Sequence, residues 1–232
     1  MVKVKVCGIT NLEDLFLVDN LGADFVGFIM YPASPRYVGE RLPELLSTKT
    51  KAKKVVVFVN PTYEEARRAL DLGAEFIQLH GDEDIQFAKK IGIERVIKAF
   101  RVKEEFRVKA LKPFVEAYAI LLDAYDDRAF GGTGKTFNWK KAKEAVEKGY
   151  RIFLAGGLNP DNVVLAIKEV NPFGIDLSSG LELYPGRKDP QKVERLFRVI
   201  RERCNHPSKT LGSAYTEPAS STAGATRPKT KA

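Results

Sequence analysis

The chain has 232 residues, 44% of them hydrophobic, and this fits one α/β barrel with a sizeable core better than two small domains. No apolar run approaches the roughly 20 residues needed to span a bilayer, and the first residues lack a signal-peptide pattern, so we expect a cytoplasmic protein with no membrane partner. Of the net charge of +8, +3 lies in residues 205–232, and the remaining +5 is spread over the rest of the chain among acidic residues, which suits an anionic small substrate and does not favour nucleic-acid binding.

Eight apolar runs rich in β-branched residues alternate with helical patterns along the chain. The predicted strands are 2–6, 24–30, 54–59, 75–79, 95–100, 117–122, 151–155 and 173–177. The predicted helices lie near 11–22, 40–50, 61–73, 82–92, 103–112, 138–149, 159–170 and 189–204. Strict alternation predicts a parallel sheet with right-handed crossovers, and eight units predict a single closed (β/α)8 TIM barrel over residues 1–205.

The ends of several predicted helices carry typical capping residues. Asn60-Pro61 and Asn159-Pro160 resemble helix starts, with Asn as the cap and Pro in the first turn. Four glycines are placed to end helices in the left-handed conformation, namely Gly22, Gly73, Gly92 and Gly149. A doubly wound open sheet is the alternative architecture, but the turn at 7–10 lacks its usual glycine-rich pattern.

The composition changes near residue 206. From there the chain is rich in Ser, Thr, Ala, Pro, Gly and Lys and has almost no large apolar residues. Such a segment cannot bury enough surface to offset its ordering entropy, so we predict a disordered, low-complexity tail over 206–232.

Cys7 ends the first predicted strand, at the side of a barrel where such enzymes place their chemistry. Strand parity places Lys3, Lys5 and Cys7 in the interior, and an ammonium near a thiol lowers its pKa and favours a thiolate base or nucleophile. The alternative is a small buried cysteine that only fills space. The second cysteine, Cys204, lies nearly two hundred residues away, so we expect both thiols to be free.

Lys5 and Asp176 are predicted to pair beneath Cys7. The first and eighth strands are neighbours in a closed barrel, and parity places both side chains inside. An unpaired buried charge would be very costly, so we expect each to neutralise the other.

Two further polar residues are candidates for the mouth of the barrel. Asp123 ends the sixth strand, where a buried carboxyl group can hold a proton and act as a general acid; a loop or capping aspartate is the alternative. Arg36 lies in a loop stiffened by Pro32 and Pro35, which could present it to a carboxylate; an ordinary surface arginine is the alternative.

Glycine clusters follow the seventh and eighth predicted strands. Gly156 and Gly157 precede a helix, and the other cluster runs through Ser178, Ser179 and Gly180. Unblocked backbone amides at the ends of these two strands form the usual phosphate site of a barrel, although tight turns alone would also require glycine.

Two other features point to no cofactor. Residues 131–136 contain the Gly-Lys-Thr of a nucleotide-binding loop, but that pattern requires glycine where the chain has Ala129, so we expect no nucleotide. His80 ends the fourth strand, and no cluster of His, Cys and Asp occurs at ligand spacing, so we expect no metal site.

Taken together, these motifs resemble phosphoribosylanthranilate isomerase, the family that catalyses the isomerisation step of tryptophan biosynthesis. The resemblance covers about residues 2–203. The matching motifs are Lys5-Val6-Cys7-Gly8-Ile9-Thr10, Ser34-Pro35-Arg36-Tyr37, Gln78-Leu79-His80-Gly81, Leu122-Asp123, Gly131-Gly132-Thr133-Gly134-Lys135-Thr136-Phe137, Ala155-Gly156-Gly157-Leu158-Asn159-Pro160 and Asp176-Leu177-Ser178-Ser179-Gly180.

The resemblance implies an Amadori rearrangement of N-(5-phosphoribosyl)anthranilate to 1-(2-carboxyphenylamino)-1-deoxyribulose 5-phosphate, without metal or organic cofactor. It implies that Cys7 and Asp123 are catalytic, as base and acid, and that Arg36 holds the anthranilate carboxylate. The implied substrate-binding residues are Arg36, His80, Gly156, Gly157, Asp176, Ser178, Ser179 and Gly180. The only implied partner is the phosphorylated substrate, with the protein a monomer or a homodimer.

Two alternatives keep the barrel and change its function. One is another phosphosugar aldolase or lyase that uses a Schiff-base lysine, for which Lys98 on the fifth strand is the candidate. The other is a barrel that binds a phosphate ligand without turnover. The presence of both Cys7 and Asp123 argues against the second.

Overall fold

In the computed structural model, which describes residues 2–123 and 139–205, eight parallel strands form a closed barrel. The strands are β1 (Lys3–Cys7), β2 (Phe25–Ile29), β3 (Lys53–Phe58), β4 (Phe76–Leu79), β5 (Val96–Arg101), β6 (Ala119–Asp123), β7 (Ile152–Ala155) and β8 (Gly174–Leu177). Each strand pairs with the next, and β1 pairs with β8 with Lys5 opposite Asp176. The predicted barrel is therefore confirmed, while the predicted tail over 206–232 lies outside the described residues.

Helices connect the strands and cover the outside of the barrel. They are α1 (Leu12–Leu21), α2 (Leu42–Ser47), α3 (Tyr63–Asp71), α4 (Ile85–Ile91), α5 (Trp139–Glu147), α6 (Val163–Val170) and α7 (Pro190–Asn205). The α-helix predicted near 103–112 is wrong, because β5 and β6 are joined by a 3₁₀ helix, Val108–Phe114, that contains Pro113. A proline has no amide hydrogen to donate and disfavours the α conformation in the residue before it. No helix in the described part of the chain is both long and apolar enough to cross a membrane.

The two predicted Asn-Pro caps are also wrong. Helix α3 begins after Thr62, which forms a capping box with Glu65, while the Asn60 side chain accepts a hydrogen bond from the Asp82 amide in a neighbouring loop. Helix α6 begins after Asn162, because Asn159 instead closes a turn ahead of the helix by accepting from the Asn162 amide. Both asparagines therefore stabilise loops at the carboxyl ends of strands.

The barrel interior is filled with apolar side chains at its amino-terminal end. Phe25 packs edge-on against Phe76 and Phe153, with ring centroids 5.8 and 5.3 Å apart. Smaller residues on β3, β5, β6 and β7 complete this cluster, and a second, larger core lies between the strands and the helices. The polar side chains of the interior therefore lie toward the carboxyl ends of the strands.

A short hairpin that the sequence did not predict follows β8. It consists of β9 (Glu182–Tyr184) and β10 (Arg187–Lys188), which pair antiparallel before α7 begins. The Thr10 hydroxyl donates to the Gly186 carbonyl at 2.6 Å, so the hairpin is tied to the loop after β1. This contact brings two charged residues of the hairpin close to the barrel mouth.

Candidate active site

A cavity of about 230 Å³ opens at the carboxyl ends of the barrel strands. Every residue predicted for the site except Gly180 lines it. The cavity residues come from β1, β2, β3, β4, β6, β7 and β8 or from the loops that follow them. Barrel closure therefore gathers side chains that are far apart in the sequence.

Gly180 does not line the cavity, but it allows two of the loops around it to pack closely. A Cβ at Gly180 would stand 2.0 Å from the Leu158 carbonyl oxygen, so only glycine lets the loops after β7 and β8 press together. Gly156 and Gly157 lie in the first loop with φ of 94° and 63°, and both line the cavity. The buried Ser178 hydroxyl has no hydrogen-bond partner in the described part of the chain, which leaves it available to a ligand oxygen.

The predicted ion pair beneath Cys7 is confirmed. Lys5 Nζ lies 3.0 Å from Asp176 Oδ1, and the Lys5 side chain is fully buried. The bare face of Gly27 gives room to both neighbours, because a Cβ there would lie 2.7 Å from Cys7 Sγ and 3.2 Å from Lys5 Nζ. The ammonium therefore lies next to the thiol as well as to the carboxylate.

The expected net lowering of the Cys7 pKa is wrong. Burial raises the pKa of the Cys7 thiol, and the positive charges of Lys5 and Lys188 offset only part of that effect. Burial likewise raises the pKa of Asp176 against the attraction of Lys5. Cys7 is consequently a neutral thiol at rest, and the two ammonium groups reduce the cost of its ionisation.

His80 and Asp123 are neighbours in the cavity, with His80 Nε2 3.9 Å from Asp123 Oδ2. Burial, together with the positive charges of Lys5 and Arg101, lowers the pKa of His80 to about 4, so the imidazole is neutral at pH 7. Gln78 Nε2 lies 3.2 Å from His80 Nδ1. With the amide nitrogen donating there, the ring proton is on Nε2 and faces Asp123.

Gln78 is a cavity residue that the prediction of individual site residues missed. It is buried and lines the cavity two residues before His80 on β4, and its Oε1 finds no partner in the described residues. The period of two along a strand places residues i and i+2 on one face, so this parity is the signal that could have found it.

Arg36 lies at the cavity but is already paired. Its Nε and Nη2 donate to the two carboxylate oxygens of Glu182 at 2.8 and 2.6 Å. Glu182 and its neighbour Lys188, both on the unpredicted hairpin, were missed because strands of two or three residues carry no readable hydrophobic period.

Lys98 points away from the cavity. Its strand neighbours Ile97 and Ala99 belong to the interior cluster, and Lys98 Nζ donates to Glu83 at 2.8 Å and to the Gly81 carbonyl at 2.7 Å. The Schiff-base alternative therefore lacks its lysine. In the described residues, no group of His, Cys, Asp and Glu side chains is arranged to hold a metal ion.

Comparison with known proteins identifies the family of this chain. The family model described as N-(5'phosphoribosyl)anthranilate (PRA) isomerase matches residues 4–199. The N-(5'-phosphoribosyl)anthranilate isomerase of Aquifex aeolicus is 51% identical over 201 residues, covering 85% of this chain and 98% of that protein.

Two solved structures are similar to this one over 87% of this chain and all of theirs. The first is a phosphoribosyl anthranilate isomerase in complex with reduced 1-(o-carboxyphenylamino)-1-deoxyribulose 5-phosphate, with 36% identity and a TM-score of 0.76. The second, from Thermotoga maritima, is of monomers generated from a dimeric phosphoribosylanthranilate isomerase, with 35% identity and a TM-score of 0.74.

Replacing Lys5 by Met is expected to raise the pKa of Cys7 further, because a positive charge that opposes the effect of burial is removed. The rate of iodoacetamide alkylation at Cys7, followed by peptide mass spectrometry from about pH 7 to about pH 10, measures this. Cys204 serves as the reference thiol in the same sample, and Lys3→Met, at the other end of β1, is the matched control. Superimposable curves for wild type and Lys5→Met would contradict the electrostatic role.

His80→Gln is expected to lose less stability on acidification than the wild type. Folded His80 takes up a proton only near pH 4, whereas the unfolded chain does so near 6.5, so falling pH favours the unfolded state across this window. Thermal melts at pH 7 and about pH 5 measure the effect as the change in the difference between the two melting temperatures. If the melting temperatures of wild type and His80→Gln differ by the same amount at both pH values, His80 is not held neutral by the fold.

Proposed function

The chain belongs to the N-(5′-phosphoribosyl)anthranilate isomerase family, and we propose that the cavity is its active site, with Cys7 as base and Asp123 as acid. The protein is an isomerase of tryptophan biosynthesis. It converts N-(5-phosphoribosyl)anthranilate to 1-(2-carboxyphenylamino)-1-deoxyribulose 5-phosphate by an Amadori rearrangement, an internal oxidoreduction of the sugar. The observation that carries the residue assignment is that a thiol on β1 and a carboxyl group on β6 line the same cavity.

Asp123 opens the ribose ring in the first step. It gives its proton to the ring oxygen as the bond from that oxygen to C1 breaks, and the nitrogen lone pair forms the C=N bond of an iminium ion. Neutral His80 is next to this carboxyl group, with Nε2 3.9 Å from Asp123 Oδ2.

Cys7 removes a proton in the second step. The thiol first loses its own proton to solvent; the thiolate then takes the proton from C2, the C–H electrons form a C1=C2 bond, and the iminium electrons return to nitrogen to give an enolamine. Lys5 and Lys188 supply positive charge that favours this thiolate. The enolamine then tautomerises to the ketone: its C2 hydroxyl loses a proton to solvent, the O–H electrons form the C2=O bond, and the C1=C2 electrons take up a proton from solvent at C1. Asp123 regains its proton from solvent.

The iminium carbon is the electron sink of the reaction, so the chemistry requires neither a metal nor an organic cofactor. What the protein must supply is orientation. In this proposal Arg36 holds the aryl carboxylate, while Ser178, Ser179 and the amides around Gly156 and Gly157 hold the phosphate. Gln78, His80 and Asp176 remain for the sugar hydroxyls between these two ends.

The small phosphorylated substrate is the partner that this function requires, and we propose that the enzyme works in the cytoplasm. The Thermotoga maritima relative is described as a dimeric enzyme, which supports a homodimer here, with the monomer as the alternative.

Cys7→Ala and Asp123→Asn are each expected to lower turnover by about 10²–10⁴-fold without unfolding the barrel, because each removes one proton transfer. Loss of phosphoribosylanthranilate fluorescence on adding enzyme measures turnover, and circular dichroism checks the fold. Phe16→Ala, an exposed residue on α1, is the control for handling and is expected to keep wild-type turnover. Turnover within a few-fold of wild type in either folded site variant would contradict the assignment of that residue.

A further inference from the structure

A charged cluster beside the cavity gives and takes no proton in the steps described above. It consists of Glu182, Lys188 and the guanidinium of Arg36. Glu182 is 6% exposed and Lys188 is fully buried, although both lie on the short hairpin β9–β10. Buried charges are costly unless they are paired and hydrogen-bonded, so the arrangement of this cluster calls for a role.

Glu182 sets the orientation of Arg36. Its two oxygens accept from Nε and Nη2 of Arg36, a parallel pair of bonds that fixes the plane of the guanidinium. Two of the five N–H donors of Arg36 are used in this way, and Nη1 makes no hydrogen bond to the described residues. The edge formed by Nη1 and the second N–H of Nη2 therefore remains for a ligand at the cavity.

Lys188 links Glu182 to the end of β1, the strand that carries Cys7. Its Nζ donates to Glu182 Oε1 at 3.0 Å, to the Cys7 carbonyl at 2.7 Å and to the Ser178 carbonyl at 3.3 Å, which accounts for all three ammonium hydrogens. Its backbone amide donates to Asp14 at 2.8 Å. Lys188 thus fixes the position of Glu182 relative to the carboxyl ends of β1 and β8.

The charges of the cluster leave a place for one anion. Burial opposes the ionisation of Glu182, but the hydrogen bond from Arg36 and the charge of Lys188 outweigh it and hold the pKa of Glu182 below its usual range. One carboxylate between two cations leaves a net charge of +1 beside the cavity. An incoming carboxylate would neutralise that charge.

We propose that Glu182 is a positioning residue that sets substrate specificity: it aims the free edge of Arg36 at the aryl carboxylate, with Lys188 as its anchor. This rests on the proposed function, in which Arg36 binds that carboxylate. Glu182 touches no reacting atom, so its removal acts on ligands that carry the carboxylate and spares ligands that lack it.

The test compares two ligands. The first probe is reduced 1-(o-carboxyphenylamino)-1-deoxyribulose 5-phosphate, and the second is the same compound without the ring carboxylate; calorimetry gives the Kd of each. Glu182→Gln is expected to weaken binding of the first probe by roughly tenfold or more and to leave the second nearly unchanged. Arg36→Ala is expected to do the same, and the double variant to lose no more than Arg36→Ala alone.

Glu83→Gln is the matched control, because Glu83 is also a buried carboxylate paired with a lysine, Lys98, at 2.8 Å and has no contact with Arg36. It is expected to leave the ratio of the two Kd values as in the wild type. If Glu182→Gln does not fold, Glu182→Asp keeps the charge one methylene further away and is expected to give a smaller loss confined to the first probe.

Three results would overturn the proposal. Equal losses for both probes would mean that Glu182 supports the fold or the phosphate loops. A wild-type preference for the first probe that survives in Glu182→Gln would leave Arg36 in its role and remove Glu182. A wild type that binds both probes equally would remove the carboxylate role of Arg36 as well, and only an enzyme that fails to isomerise phosphoribosylanthranilate would contradict the function itself.

Discussion

The buried pair of Lys5 and Asp176 is the interaction on which the site depends. It joins β1 to β8 inside the barrel, at the seam where the sheet closes on itself. Each charge would be very costly to bury alone, so the two residues require each other and require the register that places them opposite. Cys7 sits two residues beyond Lys5, and its environment follows from that register.

Two charged clusters meet at Cys7 and differ in their net charge. Lys5 and Asp176 neutralise each other, whereas Arg36, Glu182 and Lys188 keep a net charge of +1. Burial keeps the thiol protonated at rest, and these positive charges make its ionisation less costly. The fold thus places a neutral thiol where β1 meets β8. In the mechanism proposed above, it also places the carboxylate-binding edge of the Arg36 guanidinium there.

The sequence was sufficient for the architecture and for much of the cavity, because both depend on periodicity. Parity along β1 and β8 predicts the pairing of Lys5 with Asp176 that the structure contains. The hairpin that carries Glu182 and Lys188 is too short for a period, and the direction of the Cys7 pKa depends on a balance between burial and charge that composition does not reveal. Asn60 was predicted to cap a helix, but its side chain instead accepts a hydrogen bond from the amide of Asp82, which is distant in the sequence.

In the proposed mechanism Asp123 and Cys7 act in successive steps, and a kinetic isotope effect separates the two steps. Substrate deuterated at ribose C2 slows only the proton removal assigned to Cys7. In Cys7→Ser, proton removal limits the rate, so the account predicts a large primary isotope effect on kcat. In Asp123→Asn, ring opening limits the rate, so it predicts almost none. The reverse pattern, or equal effects in both variants, would contradict the assignment of acid and base.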